Sequence, residues 1–238
     1  IASALRPAAA ARMRRLVPGV DTDVFHPRVR PDGAALRGEL GLADRPVIVC
    51  VSRLMPRKGQ DTLIRALPLV QRAVPDAALL IVGGGPYRSR LDALVEEVGV
   101  AGSVVLTGTV AWEALPLHYA AGDVFAMPCR TRNRGWDVEG LGIVYLEAGA
   151  IGLPVIAGDS GGAPDAVLDG QTGYVVDGRD LQDVARRIVA VLSDPRAAAG
   201  MGEAGRQWVE QQWTWPVVSR RLTDLLDGVD PDRGPGTA

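Results

Sequence analysis

Cysteine is nearly absent from this sequence, with Cys50 and Cys129 the two in 238 residues. A disulfide framework is thereby excluded, and Cys50 within "PVIVCVS" reads as a small hydrophobe in a buried strand. A reducing, cytoplasmic compartment is the resulting expectation. Histidine is as scarce: His26 and His118 leave little from which to build a metal cluster. Charge of one sign is lacking too, since 26 Lys and Arg face 28 Asp and Glu for a formal net charge of -2. That balance gives no general pull toward nucleic acid. No apolar run approaches the roughly 20 residues needed to cross a bilayer. The first residues, "IASALRPAAAARMRR", have neither the order of a signal peptide nor an initiator methionine, and read as cut from something longer.

What is present is a hydrophobic share of 47%, enough to fill a sizeable core. Short apolar runs predict strands at 46–52, 78–84, 103–108, 123–128, 154–158 and 173–176. Helical spacing predicts helices over 59–74, 87–98, 112–121, 143–151, 162–168, 180–192 and 195–227. Strands that are apolar on both faces and separated by single helices imply a doubly wound α/β domain with a parallel sheet, binding its ligand at the strands' carboxyl ends. The Pro-, Gly- and Asp-rich residues 18–45 read as a linker leading into a domain over 46–227, and 228–238 as a flexible tail.

The polar groups gather in the loops on that carboxyl edge. "SRLMPRKGQD" sets Arg53 at the first strand's exit and Lys58 at the start of the next helix, two cations at one rim that favour an anion, unless they are only solvated loop residues. The "GGGPY" turn brings Gly84 to the edge and would let a ligand approach the backbone. It fails the dinucleotide fingerprint at Arg88, and a plain tight turn serves equally well. In "DVEGLGIVYLEAGAIG", Gly142 and Ile143 offer backbone N–H groups at the positive end of a helix, a site for phosphate. The flanking carboxylates Glu139 and Glu147 then call for hydroxyl donors or neighbouring cations. A phosphate flanked by two polyols is a nucleotide sugar; the plain alternative is a capping acid and an ordinary helix residue.

Taken in order, Arg53 with Lys58, "GGGPY", "LTGTV", the two glutamates and "GLPVIAGDSGGAPDAVLDGQTGYVV" resemble the donor-binding half of retaining GT-B glycosyltransferases over about Val17 to Trp215. Within them, "RTRNRGWDVEGLGIVYLEA" is most similar to actinobacterial mannosyltransferases that use GDP-mannose and phosphatidylinositol mannosides. The resemblance implies that Arg53 and Lys58 hold the donor diphosphate with the amides of Gly142 and Ile143. Glu147 would take the ribose hydroxyls and Glu139 the transferred hexose, and Thr109 and Val110 would meet the base. It implies no metal, so "DTD" at Asp21–Asp23 is expected to be a turn. Residues 1–17 would be the remnant of an acceptor-binding domain without which the chain turns over little. A uridine-nucleotide donor, a non-catalytic nucleotide-sugar module and a protein-binding α/β scaffold are the competing readings. The expected partners are a nucleotide sugar and an anionic glycolipid. Arg130, Arg132, Arg134 and Trp136 would face that lipid at the inner surface of the plasma membrane.

Overall fold

The computed structural model describes residues 16–228, so the expectations for 1–15 and 229–238 lie outside the described residues. Six parallel strands form one sheet: β1 (Val47–Val51), β2 (Ala78–Val82), β3 (Val104–Gly108), β4 (Val124–Met127), β5 (Val155–Gly158) and β6 (Gly173–Val176), in the order β3-β2-β1-β4-β5-β6. Every residue of β1, β2, β4 and β5 is buried, as runs apolar on both faces require, while the edge strands β3 and β6 are partly open. The chain winds outward from β1 to β3 and then returns to lay β4 against β1. β1 and β4 therefore flank the topological switch point, where an open α/β sheet leaves a crevice at its carboxyl edge.

The helices are α1 (Arg30–Glu39), α2 (Gln60–Gln71), α3 (Arg88–Val98), α4 (Leu115–Ala120), α5 (Ile143–Ala150), α6 (Leu181–Ser193), α7 (Pro195–Gln212) and α8 (Trp215–Leu226). α2 packs on α3 and α6, whereas α1 packs on α4, and α5 on α7. A row of rings crosses the core beneath the carboxyl edge: Phe25, Tyr119, Phe125 and Tyr145 follow one another with centroids 5.8, 5.7 and 5.8 Å apart. On the opposite edge, Pro46, Asp123 and Pro154 border a cavity of about 750 Å³ that shares no residue with the carboxyl-edge loops.

Three expectations need correction. Residues 18–45 are not a linker throughout, because α1 lies within them. Pro31 falls at a position where a helix needs no N–H, and Gly33 lets α1 approach Ala120 of α4 so closely that a β-carbon would stand 2.5 Å from the alanine methyl. Arg37 then ties α1 to Asp123 through two hydrogen bonds of 3.0 Å. The predicted helix over 162–168 is a single 3-10 turn, Ala163–Ala166, because Gly162 donates back to Glu139 O and Val167 is already extended. The helix expected over 195–227 breaks at Trp213–Thr214. Pro216 has no N–H for the carbonyl of Gln212, which accepts from Arg221 Nη1 at 2.9 Å instead.

Candidate active site

The loops leaving β1, β2 and β3 are stitched into one wall. Ser52 N donates to Val82 O at 3.0 Å, Leu54 N to Gly84 O at 2.9 Å, and Gly83 N to Gly108 O at 2.9 Å. Gly84 lies so close to Thr109 that an added β-carbon would stand 2.4 Å from its hydroxyl, which fixes the β3 exit loop carrying Thr109 and Val110. Val110 itself is half-buried and packs against the core.

Across the switch point, the β4 exit loop meets the β1 exit loop. Arg130 N donates to Arg57 O at 2.8 Å, and Lys58 Nζ stands 2.6 Å from Glu139 Oε2 with both residues buried. Arg57 lies behind this pair, its Nε 3.8 Å from the same carboxylate oxygen and its Nη1 3.5 Å from Asp137. The charge of Glu139 is therefore accepted by cations of the chain itself, one of the two solutions that a buried carboxylate allows. Arg53 stands exposed on the rim, its guanidinium 3.9 Å from the sulfur of Met55. Arg57, unremarked in the sequence beside Lys58, is the arginine brought into the crevice.

α5 opens at Gly142 with a left-handed backbone, φ 78°, and among the described residues no side chain caps it. Tyr145 N turns back to Gly142 O at 3.0 Å, so the amides of Gly142, Ile143 and Val144 form the open end of the helix. One turn further, Glu147 is held by Tyr119 of α4, whose hydroxyl donates to Glu147 Oε2 at 2.5 Å. Burial pushes the Glu147 carboxyl above its usual range, and this hydrogen bond works the other way. Tyr119 carries no sequence signal, because it lies in a helix far along the chain and reads as core.

The β5 exit loop supports Glu139 from below. Glu139 N donates to Ser160 Oγ at 3.3 Å, and Gly162 N donates to Glu139 O at 3.1 Å. The "DTD" segment is a turn as expected, with Asp21 Oδ1 accepting from Asp23 N at 3.0 Å and Val24 N at 3.1 Å. The arginine-rich loop divides: Arg130 is anchored to Asp61 Oδ2 at 2.6 Å and Thr62 Oγ1 at 2.7 Å, while Arg134 is exposed and Trp136 is 90% exposed. The expectation that all three arginines face a lipid is corrected for Arg130, whose neighbour Asp61 satisfies it inside the fold.

The chain is similar to known proteins in sequence and in architecture. The chain is 58% identical over 228 residues to the GDP-mannose-dependent alpha-(1-6)-phosphatidylinositol monomannoside mannosyltransferase of Mycolicibacterium smegmatis, covering 95% of this chain and 59% of that protein. It is 50% identical over 209 residues to the GDP-mannose-dependent monoacylated alpha-(1-6)-phosphatidylinositol monomannoside mannosyltransferase of Corynebacterium glutamicum, covering 87% of this chain and 54% of the relative. The chain thus spans somewhat over half the length of these relatives. Among solved structures, Anabaena Alr3699/HepE in complex with UDP-glucose superposes with a TM-score of 0.79 at 26% identity, over 91% of this chain and 57% of that one. The family model for glycosyl transferases group 1 matches residues 34–208, the whole sheet and its crevice, and the chain belongs to that family.

Proposed function

We propose that this chain is the donor-binding half of a retaining mannosyltransferase that takes mannose from GDP-mannose to a phosphatidylinositol mannoside. The observation that carries this reading is the crevice at β1 and β4, where the Lys58 ammonium, the Glu139 carboxylate and the open end of α5 share two facing loops. A diphosphate suits the ammonium and the amides of Gly142 and Ile143, with Arg53 at the rim. Ribose hydroxyls donate to Glu147, hexose hydroxyls to Glu139, and the base lies along Thr109 and Val110. As the sugar leaves, negative charge grows on the diphosphate, and fixed cations with a helix terminus stabilise it without a metal ion. The names of the mycobacterial and corynebacterial relatives support mannose and the glycolipid acceptor.

Calorimetric titration with GDP, UDP and ADP tests the reading, with GDP expected to bind tightest. Binding of none of the three at millimolar concentration would sink it. A uridine donor is the second reading, favoured by the UDP-glucose complex of the Anabaena neighbour, and it wins if UDP outbinds GDP.

The finger from Thr131 to Val138 is proposed as the part that meets an anionic lipid surface. Arg132 and Asp137 close it with hydrogen bonds of 2.8 and 3.3 Å, and Arg134, Trp136 and Val138 project from it. Each basic residue near such a surface contributes about 1 kcal/mol at physiological salt. Changing Arg132 and Arg134 to Gln should weaken sedimentation with phosphatidylinositol-containing vesicles, more at low salt than at high, and leave GDP affinity unaltered. Arg130→Gln should instead lower the melting temperature, because it strands a mostly buried Asp61, a loss of about 3 kcal/mol. Equal vesicle binding by the double variant and the unaltered chain at low salt would reduce the finger to solvated surface.

A further inference from the structure

The ion pair at the centre of the crevice has a peculiarity. Lys58 Nζ and Glu139 Oε2 are 2.6 Å apart, yet among the described residues Oε2 receives no aligned hydrogen bond, and Arg57 Nε beside it is buried without a hydrogen-bond partner there. The carboxylate is thus held by charge rather than by directed bonds, and a second, unsatisfied donor waits 3.8 Å away. Such a pair can be exchanged: Glu139 can move from Lys58 to Arg57 with its charge still compensated. The donor-site reading above makes Lys58 a diphosphate cation, and in the free chain that cation is already taken.

We propose that the Lys58–Glu139 pair is a counter-ion latch that makes the site prefer a nucleotide sugar to the bare nucleoside diphosphate. Either ligand must draw Lys58 away from Glu139 and place a phosphate near a carboxylate. A nucleotide sugar returns hydroxyl donors to Glu139, so the displaced carboxylate is satisfied again. A nucleoside diphosphate brings none, and leaves Glu139 against an anion with only Arg57 to receive it. The spent nucleotide is therefore expelled by the carboxylate that the sugar had occupied. Glu139 acts in this way as a specificity residue toward the phosphate end of the ligand as well as a reader of the hexose.

The inference rests on the donor-site reading, and its test separates the two. The unaltered chain, Glu139→Gln, Lys58→Gln and the double variant are titrated with GDP and with GDP-mannose. Glu139→Gln is expected to bind GDP roughly tenfold more tightly, as removal of a charged competitor implies, and to lose the preference for GDP-mannose. In the Lys58→Gln background the same change should bring little or no gain, because there is no ammonium to unmask. A gain of equal size in both backgrounds would mean simple repulsion and would overturn the latch, as would unchanged or weaker GDP binding by Glu139→Gln. Glu139→Asp keeps the charge but withdraws it by one methylene, and should tighten GDP in the same direction even if the glutamine variant folds poorly; an unchanged or weaker GDP affinity there would count against the latch. If the unaltered chain bound no GDP at all, the donor-site reading would fall and the latch with it. If it binds GDP and only the Glu139 variants show no gain, the latch alone fails.

Discussion

Glu147→Ala is expected to weaken GDP binding by roughly one to two powers of ten, the worth of two hydroxyl hydrogen bonds to a charged acceptor after discounting. The carboxylate is preset for this role. Tyr119, wholly buried, fixes one oxygen with a bond of 2.5 Å and leaves the other for ligand. Tyr119→Phe should therefore weaken GDP as well, by less, since the carboxylate remains but loses its orientation. A pH dependence follows from the same geometry. Burial raises the pKa of Glu147, and the carboxylate accepts hydroxyl protons more strongly than the neutral acid, so GDP affinity should fall as pH drops through that raised range. Glu147→Gln lacks the titrating group and serves as the control for protonation of the GDP phosphate. Calorimetry across pH reads both. Unchanged GDP affinity in Glu147→Ala would remove Glu147 from the ribose role.

The second large effect is expected at Gly161. Its φ of +60° lies in the left-handed region, and a β-carbon there would stand 1.8 Å from the backbone oxygen of Glu139. Alanine in that conformation costs about 1–2 kcal/mol before any clash. The clash itself is with backbone, which cannot rotate aside, so the strand-exit loops holding Glu139 must part. Gly161→Ala should destabilise the chain by about 3 kcal/mol or more, a fall in melting temperature of about 6–12 °C for a domain of this size. GDP-mannose binding should fall further than GDP binding, since Glu139 is the group displaced. A melting temperature within about 2 °C of the unaltered chain, with binding intact, would show that the loop relaxes freely.

The sheet is legible because its strands are apolar on both faces and alternate with single helices, the pattern of a covered parallel sheet; the predicted bounds of β6 coincide with those observed. α1 is not, because Pro31 and Gly33 are read as breakers unless one knows that the first sits at a helix start and the second against α4. At the site, Lys58 and Glu139 could be assigned to one crevice from their places at strand exits, but their direct pairing depends on how two loops distant in sequence approach. Arg57 shows the same limit. One residue decides which way a side chain leaves a 3-10 turn, and the turn Pro56–Lys58 turns both Arg57 and Lys58 toward Glu139. Arg130 was misassigned for the converse reason: a run of arginines looks solvated, and its acidic partner Asp61 sits on another element.

The row of rings beneath the crevice gives the molecule an optical reporter. Tyr119 and Tyr145 stand in that row with their hydroxyls committed, the one to Glu147 and the other to Met127 O at 2.7 Å and Cys129 Sγ at 3.1 Å. Burial first, then the neighbouring carboxylate or thiol, holds both phenols well above the ordinary tyrosine range. A group whose folded pKa is raised gives stability that is full below the unfolded value, near pH 10, and lost as pH rises beyond it. Phenolate absorbance from these two rings should therefore appear only as the floor of the crevice opens. With Tyr87 and Tyr174 changed to Phe so that these two rings alone contribute, an alkaline difference spectrum measures local opening under the donor site without any added label, and a bound nucleotide that grips Glu147 should delay its onset.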